Sequence, residues 1–343
     1  MCFRSAAAFF LAATVSLTFH VATPTCRGAD TPPAAEAKPK VDPSTWAKVS
    51  PAQTAAARKL GVPVAFENSV GMRFVLIPPG EFMMGSKDSS AQVASNCAMP
   101  NAAPGWFVDE HPRHKVTLTK AFYMSIHEVT NASYEALFAK PKPKKPKKPR
   151  KPSKAPEAPP EVKVPNEPIV KISFSVAEKF CKTLSGKEKR TYAMPTEAQW
   201  EYAYRAGTET AFSFGQAAST DKANYHGNYI YGPGKKGKNR AKPVVVGSLP
   251  PNAWGLYEMH GNLSEWCSDS YQRYTAEPQT DPTGPEKKER QRVLRGGSWR
   301  SYPGACRSAF RHGMDSNTSS ETIGFRVVCS LTTDPPEEPK KKK

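Results

Sequence analysis

Downstream of Phe19 the 343-residue chain has no apolar run long enough to cross a bilayer, which excludes a polytopic membrane protein. It has no glycine-rich phosphate loop and no serine-hydrolase elbow, so nucleotide hydrolysis and serine-dependent acyl transfer lack their usual apparatus. Aromatic residues are missing from its most basic run. Between Lys140 and Lys163 ten Lys/Arg stand against Glu157 and Glu161, interleaved with prolines. A nucleic-acid clamp needs aromatic rings among such charges for stacking, so much of the formal net charge of +18 is set aside as evidence for nucleic-acid binding. Proline at that density removes backbone donors and blocks helix, which predicts an extended, solvated insert over 140–165 with some attraction to acidic surface polymers. The chain also lacks an even set of cysteines. Setting aside Cys2 and Cys26, five remain: Cys97, Cys181, Cys267, Cys306 and Cys329. In an exported protein an odd count leaves at least one free thiol or an intermolecular bond, and Cys306 is the candidate for the free one.

What is present suggests export. Arg4 precedes an apolar run from Ala6 to Phe19 and a small-residue stretch ending near Ala29, so 1–29 reads as a signal peptide and the mature chain as periplasmic or secreted. Residues 30–65, rich in Ala, Pro and Lys, read as a linker, 66–330 as the folded domain, and 331–343 as a basic tail.

Within the domain, Phe74–Ile77, closed by Pro78-Pro79-Gly80 and resumed by Phe82–Gly85, predicts a hairpin; Val116–Met124 alternates as a further strand. Ser175 with Glu178 reads as a capping box opening a helix whose Ala177, Phe180, Cys181 and Leu184 share a face. Thr196 with Gln199 opens a second helix that stops before Gly207, with Trp200 and Tyr204 on one face. From Gly207 onward periodicity is slight, but Trp254, Tyr257, Trp266 and Trp299 offer large buried areas, predicting ordered, loop-rich structure held by ions and disulfides. His111 and His114, three apart with no third ligand word, read as surface or packing residues.

Seven words occur in order: Pro79-Gly-Glu-Phe-Met-Met-Gly-Ser86, Glu128-Val-Thr-Asn131, Met194-Pro-Thr-Glu-Ala-Gln-Trp-Glu-Tyr202, Asn252-Ala-Trp-Gly-Leu-Tyr257, Gly261-Asn-Leu-Ser-Glu-Trp266, Arg295-Gly-Gly-Ser-Trp299 and Gly324-Phe-Arg326. Together they resemble the formylglycine-generating enzyme family, also called sulfatase-modifying factors. The resemblance implies an α+β, C-type-lectin-like fold with little regular secondary structure. It implies bound Ca²⁺, and oxidation of a cysteine in unfolded sulfatase Cys-x-Pro-x-Arg segments to formylglycine, using oxygen and Cu(I) held by two thiolates.

Those two thiolates match positions 301 and 306. Cys306 fits the second, and Ser301 replaces the first. Cu(I) is soft and prefers sulfur to a neutral hydroxyl, so copper affinity and oxidase activity should both fall. The resemblance also implies a Cys181–Cys329 disulfide. It places calcium on the carbonyls of Gly261 and Leu263 with the carboxylates of Glu265 and Glu258, a hard-oxygen set suited to Ca²⁺. A second calcium site would start at Asn224 and the Tyr225 carbonyl, with no carboxylate recognisable between Gly232 and Lys242 to complete it.

Two functions follow. One is an exported formylglycine-generating oxidase with impaired copper chemistry. The other is a non-catalytic module that uses the same scaffold to hold a peptide, glycan or cell-envelope partner. An iron-and-histidine oxidation on sulfur-containing histidine derivatives, performed by some relatives, lacks here the extra histidine-bearing regions those relatives carry.

Overall fold

The computed structural model describes residues 42–98, 101–139, 166–285 and 289–331. The leader, the Lys/Pro insert and the basic tail lie outside them. Structure begins earlier than expected: the second half of the supposed linker folds. Ser50 caps helix α1 (Pro51–Leu60) with a reciprocal capping box to Gln53, Pro51 sits in the first turn, and Gly61 closes the helix in the left-handed conformation. Alanine-rich sequence with both ends capped is a strong helix signal, and the proline and lysine around it mask it. Gln53 anchors α1 to the domain: it is fully buried, and its amide donates to the carbonyls of Leu76 (2.9 Å) and Trp254 (3.1 Å).

Three small sheets follow. β1 (Ala65–Glu67), β2 (Arg73–Ile77), β5 (Phe122–Ser125), β12 (Val328–Ser330) and β6 (Tyr192–Ala193) form an antiparallel sheet in that order. β10 (Arg311–Asp315), β9 (Gln291–Arg295), β7 (Ser264–Ser270) and β11 (Ile323–Gly324) form the second. β3 (Gly80–Met84), β4 (His114–Leu118) and β8 (Gln279–Thr280) form the third. The expected 74–85 hairpin is therefore absent: β2 and β3 belong to different sheets, and the Pro78-Pro79 step redirects the chain between them. Likewise 116–124 is two strands, β4 and β5, again divided between sheets.

The remaining α-helices are α2 (Ser90–Asn96), α3 (Asn131–Phe138), α4 (Phe174–Glu188) and α5 (Glu197–Arg205). α4 buries Ala177, Phe180, Cys181 and Leu184 as their spacing predicts, but it starts at Phe174 with Ser173 as cap, so the expected Ser175/Glu178 box does not form. α5 has the predicted Thr196/Gln199 box and ends at Ala206, and the rings of Trp200 and Tyr204 lie 5.2 Å apart. From Ala206 to Leu263 there is no helix or strand. This long loop region is held by aromatic packing and by buried arginines rather than by disulfides, because Cys97, Cys181, Cys267, Cys306 and Cys329 are all free and buried. Cys181 and Cys329 do share one apolar cluster, as their expected pairing required, but as two thiols.

Candidate functional site

α5 organises the centre of the molecule. Its Glu201 is fully buried between two guanidiniums, Arg205 (2.7 Å) and Arg295, and also accepts from the Gly85 amide at 2.9 Å. Burial pushes this carboxyl up, yet Arg205 and Arg295 outweigh it and hold the group below the ordinary value. Glu197, one turn earlier, pairs with Arg311 at 2.5 Å, while Glu110 pairs with Arg307. Buried pairs of this kind fix geometry more than they add net stability, which suits a region with few backbone ladders.

At the C-terminal end of α5, the Tyr204 hydroxyl donates to the carbonyl of Cys306 at 2.6 Å. Cys306 is wholly buried. Its sulfur lies under Gly297 and Gly261: a Cβ on Gly297, whose φ is +67°, would approach the Sγ to 2.7 Å, and one on Gly261 would reach 3.4 Å. The second glycine of Arg295-Gly-Gly-Ser-Trp299 is therefore needed both for its backbone and to admit the thiol. Burial raises the Cys306 thiol to about 12, against the opposing pull of Arg307. The Ser301 hydroxyl faces its own turn, accepting from the Ser298 amide and sharing a hydrogen bond with the Ser298 hydroxyl, each at 3.0 Å. One thiol and one hydroxyl committed to Ser298 do not fit Cu(I), which needs a pair of soft sulfur donors. Of the other thiols, Cys97 lies close to Gly304, and burial raises it to about 11; Cys267 is buried beside Asp269 and Glu197 and is also pushed up.

Above this buried thiol lies an aromatic face that sequence reasoning passed over. The His226 amide donates to the Ser301 carbonyl (2.9 Å), placing the His226 ring 4.8 Å from Tyr229, which in turn is 4.4 Å from Tyr302. Tyr302 is 40% exposed. The signal was present as His226-x-x-Tyr229 in a loop and a Tyr beside Ser301, but neither has a period to mark it.

The two loops expected to bind calcium meet. Asn224 bridges Gly261, its carbonyl accepts from the Asn262 amide (2.8 Å), and its side-chain nitrogen donates to Asn262 Oδ1 (3.0 Å). Asn224 Oδ1 is buried with no partner among the described residues. Glu265 accepts from Trp200 Nε1 (2.7 Å) and twice from Arg326 (2.6 and 2.7 Å). Both Glu258 oxygens accept from the Gly247 amide at 3.0 Å. Glu128, whose role the sequence did not suggest, accepts from Asn262 Nδ2 (2.7 Å) and the Leu263 amide (3.0 Å). Burial and then Glu265 and Glu258 push Glu128 well up, because three buried carboxylates share the one guanidinium of Arg326.

On charge, this Gly261–Glu265 loop fits a divalent cation, and the orphan Asn224 oxygen adds a hard donor. Among the described residues no three His, Cys, Asp or Glu side chains converge as a metal-holding group, so any such ion depends on the carbonyls of Gly261 and Leu263. A separate ion at Asn224 and Tyr225 does not fit. Arg240 already brings positive charge there, donating to the carbonyls of Thr220 (2.7 Å) and Ala223 (3.3 Å), and the Tyr225 ring lies in an apolar cluster.

Comparison with known proteins agrees with this architecture. The sulfatase-modifying factor enzyme 1-like domain family matches residues 61–331. The serine/threonine-protein kinase pkn1 of Chlamydia pneumoniae is 29% identical over 271 residues, 75% of this chain and 38% of that one. The formylglycine-generating enzyme of Bos taurus is 32% identical over 175 residues, 48% of this chain and 44% of that one. The chain thus spans about two fifths of the length of these relatives. The structure of PvdO from Pseudomonas aeruginosa superposes with a TM-score of 0.61 at 29% identity, covering 78% of this chain and 98% of that one. On its motifs, its fold and this match, the chain belongs to the sulfatase-modifying factor enzyme 1-like, or formylglycine-generating enzyme, family.

Proposed function

We propose that this chain acts outside the cytoplasm as a non-catalytic member of its family, binding an extended peptide across His226, Tyr229 and Tyr302 without oxidising it. The observation that carries the reading is the make-up of the paired positions: Ser301 presents a hydroxyl tied to Ser298, which leaves Cys306 as a single, fully buried sulfur. Cu(I) is soft and binds best between two sulfurs, and with a hydroxyl at 301 only the Cys306 sulfur is left to hold it. The exposed Tyr302 ring remains, backed by the half-buried rings of Tyr229 and His226, and such rings contribute to peptide binding whether or not a metal is present. Calcium on the carbonyls of Gly261 and Leu263 with Glu265 and Glu258 has a structural part in this reading: neutralising buried carboxylates under the loop that supports Cys306.

The test uses the full chain with a fluorescent peptide bearing Cys-x-Pro-x-Arg, with and without Cu(I) and oxygen. Binding that drops about tenfold or more in Tyr302→Ala, with no aldehyde formed, is expected, a loss of the size seen at interface hot spots. Sustained aldehyde formation by the unaltered chain would return it to the oxidases. Ser301→Cys should raise copper affinity; unchanged affinity would mean that the pocket has lost its metal for reasons other than the missing sulfur.

A further inference from the structure

The N-terminal end of α5 faces a cleft of about 530 Å³ that plays no part in the family's chemistry at positions 301 and 306. Its walls include His114 from β4, Glu197 from α5, Asp269 from β7, Tyr274, the loop 279–284 and Arg311 from β10. The cleft exists because Gly284, at φ +75°, folds the loop after β8 back over Asp269, where a Cβ would come within 2.9 Å of the aspartate's own Cβ.

Most polar groups around the cleft are already satisfied. Glu197 is held by Arg311 (2.5 and 2.8 Å) and the Tyr274 hydroxyl (3.0 Å), and Asp281 by the Thr119 amide (2.8 Å) and hydroxyl (2.5 Å). Two groups are not. Asp269, 5% exposed, uses only Oδ2, which accepts from the Glu197 amide (2.9 Å) and the Ser268 hydroxyl (3.2 Å); its Oδ1 has no partner among the described residues. His114, 2% exposed, lies 3.1 Å through Nδ1 from the Pro112 carbonyl, which fixes the proton on Nδ1 and leaves Nε2 an acceptor. That Nε2 is buried without a partner among the described residues. A buried acceptor left unpaired costs roughly 1–3 kcal/mol, and His114 Nε2 is one, lining the same space onto which Asp269 Oδ1 opens.

We infer that this cleft is a second binding site, for a small organic cation carrying a primary ammonium. Both free groups accept, so the ligand must donate. An ammonium brings three donors and a positive charge to a wall in which Glu197, Asp269 and Asp281 outnumber Arg273 and Arg311. A neutral polyol also donates, but leaves the charge on Asp269 uncompensated. Burial, and then Glu197, hold the Asp269 carboxyl at about 7, and a cation beside it restores its ionised form.

The site is probed with 1,4-diaminobutane by calorimetry on the full chain at pH 7.5, beside glucose as a neutral polyol. Saturable diamine binding that weakens at least tenfold in Asp269→Asn, with glucose silent, is expected. In that variant the amide oxygen can still accept from the Glu197 amide. Thr283→Trp, at the exposed rim of the cleft, is the second variant and should also abolish binding while leaving thermal unfolding unchanged. No saturable diamine binding, binding equal in Asp269→Asn, or tighter binding of glucose than of the diamine would each overturn the assignment.

Discussion

The two ends of α5 treat a potentially reactive side chain in opposite ways. At the C-terminal end Cys306 is enclosed on every side, its carbonyl held by Tyr204 and its sulfur covered by Gly297 and Gly261. At the N-terminal end, about 10 Å away along the helix, Asp269 is nearly as buried but opens one oxygen onto a cleft. Burial neutralises both groups by the same desolvation. Only the aspartate has space beside it in which a counter-charge can bind, so a similar shift leaves an inert thiol at one end and a receptive carboxyl at the other.

The comparison breaks first at Glu201, midway between the ends. Glu201→Ala strips the counter-charge from Arg205 and the nearer of two from Arg295, whose other partner Glu197 lies at 3.8 Å, and breaking buried pairs of this kind costs roughly 3–5 kcal/mol. Thermal unfolding should fall by roughly 6–20 °C, with a single transition in which both ends fail together. A loss confined to one end, read by hydrogen exchange, would mean that α5 does not couple them.

Next in size is the pH dependence of the cleft end. Asp269 holds its proton in the fold up to about pH 7, whereas in the unfolded chain it ionises near 4. Between those values the native state binds more protons than the unfolded state, so stability declines as pH rises, by up to about 4 kcal/mol in all, and levels off above 7. The groups that face Asp269 and could blunt this are Glu197 on α5, Arg311 on β10, His114 on β4, and Arg273, Tyr274 and Asp281 on the loops. Denaturant midpoints between pH 4 and 8 should show the decline in the unaltered chain and a flatter profile in Asp269→Asn. Parallel profiles would remove the premise that the carboxyl is strained.

A calcium ion on the Gly261–Glu265 loop would sharpen the contrast, since it would support the Cys306 end alone. With free calcium at a hundred times the dissociation constant, chelation should lower stability by about 2.7 kcal/mol. An unfolding midpoint indifferent to chelator and to added calcium would mean that the protein's own groups, Arg326 at Glu265 and His127 3.4 Å from Glu258, suffice for the three carboxylates.

What the sequence disclosed follows from how local each signal is. α5 was legible to the residue because a capping box, a helical face and a terminal Gly207 lie within a dozen positions. Cys306 and Ser301 were legible because the family's words fix their spacing. Strand partners were not: Phe74–Ile77 and Phe82–Gly85 look like a hairpin, and only contacts with distant β5 and β4 assign them to separate sheets. α1 was overlooked because its Ala/Pro/Lys composition matches a linker, although Ser50 and Gln53 carried the same box that identified α5. Asp269 could not be read at all, and His114 only as a surface or packing residue; it is buried, its ring 4.9 Å from that of Tyr274. What makes them unusual is a loop from 279 to 284 closing over one and a bond to Pro112 orienting the other, and neither leaves a pattern in the sequence.

The smallest effects discriminate between packing and chemistry at the thiol end. If Cys306 is a packing residue, Cys306→Ala costs about 1–2 kcal/mol through the space it leaves, within the ordinary range for a small buried side chain. Peptide binding at Tyr302 should then survive unchanged. The native thiol should also resist alkylation at pH 8, because burial raises it and shields it from the reagent, and should react only as fast as the protein opens. Labelling that outpaces global unfolding would show Cys306 to be accessible. The contrast between a sealed end and an open end of α5 would then collapse, and with it the physical case against metal chemistry at position 306.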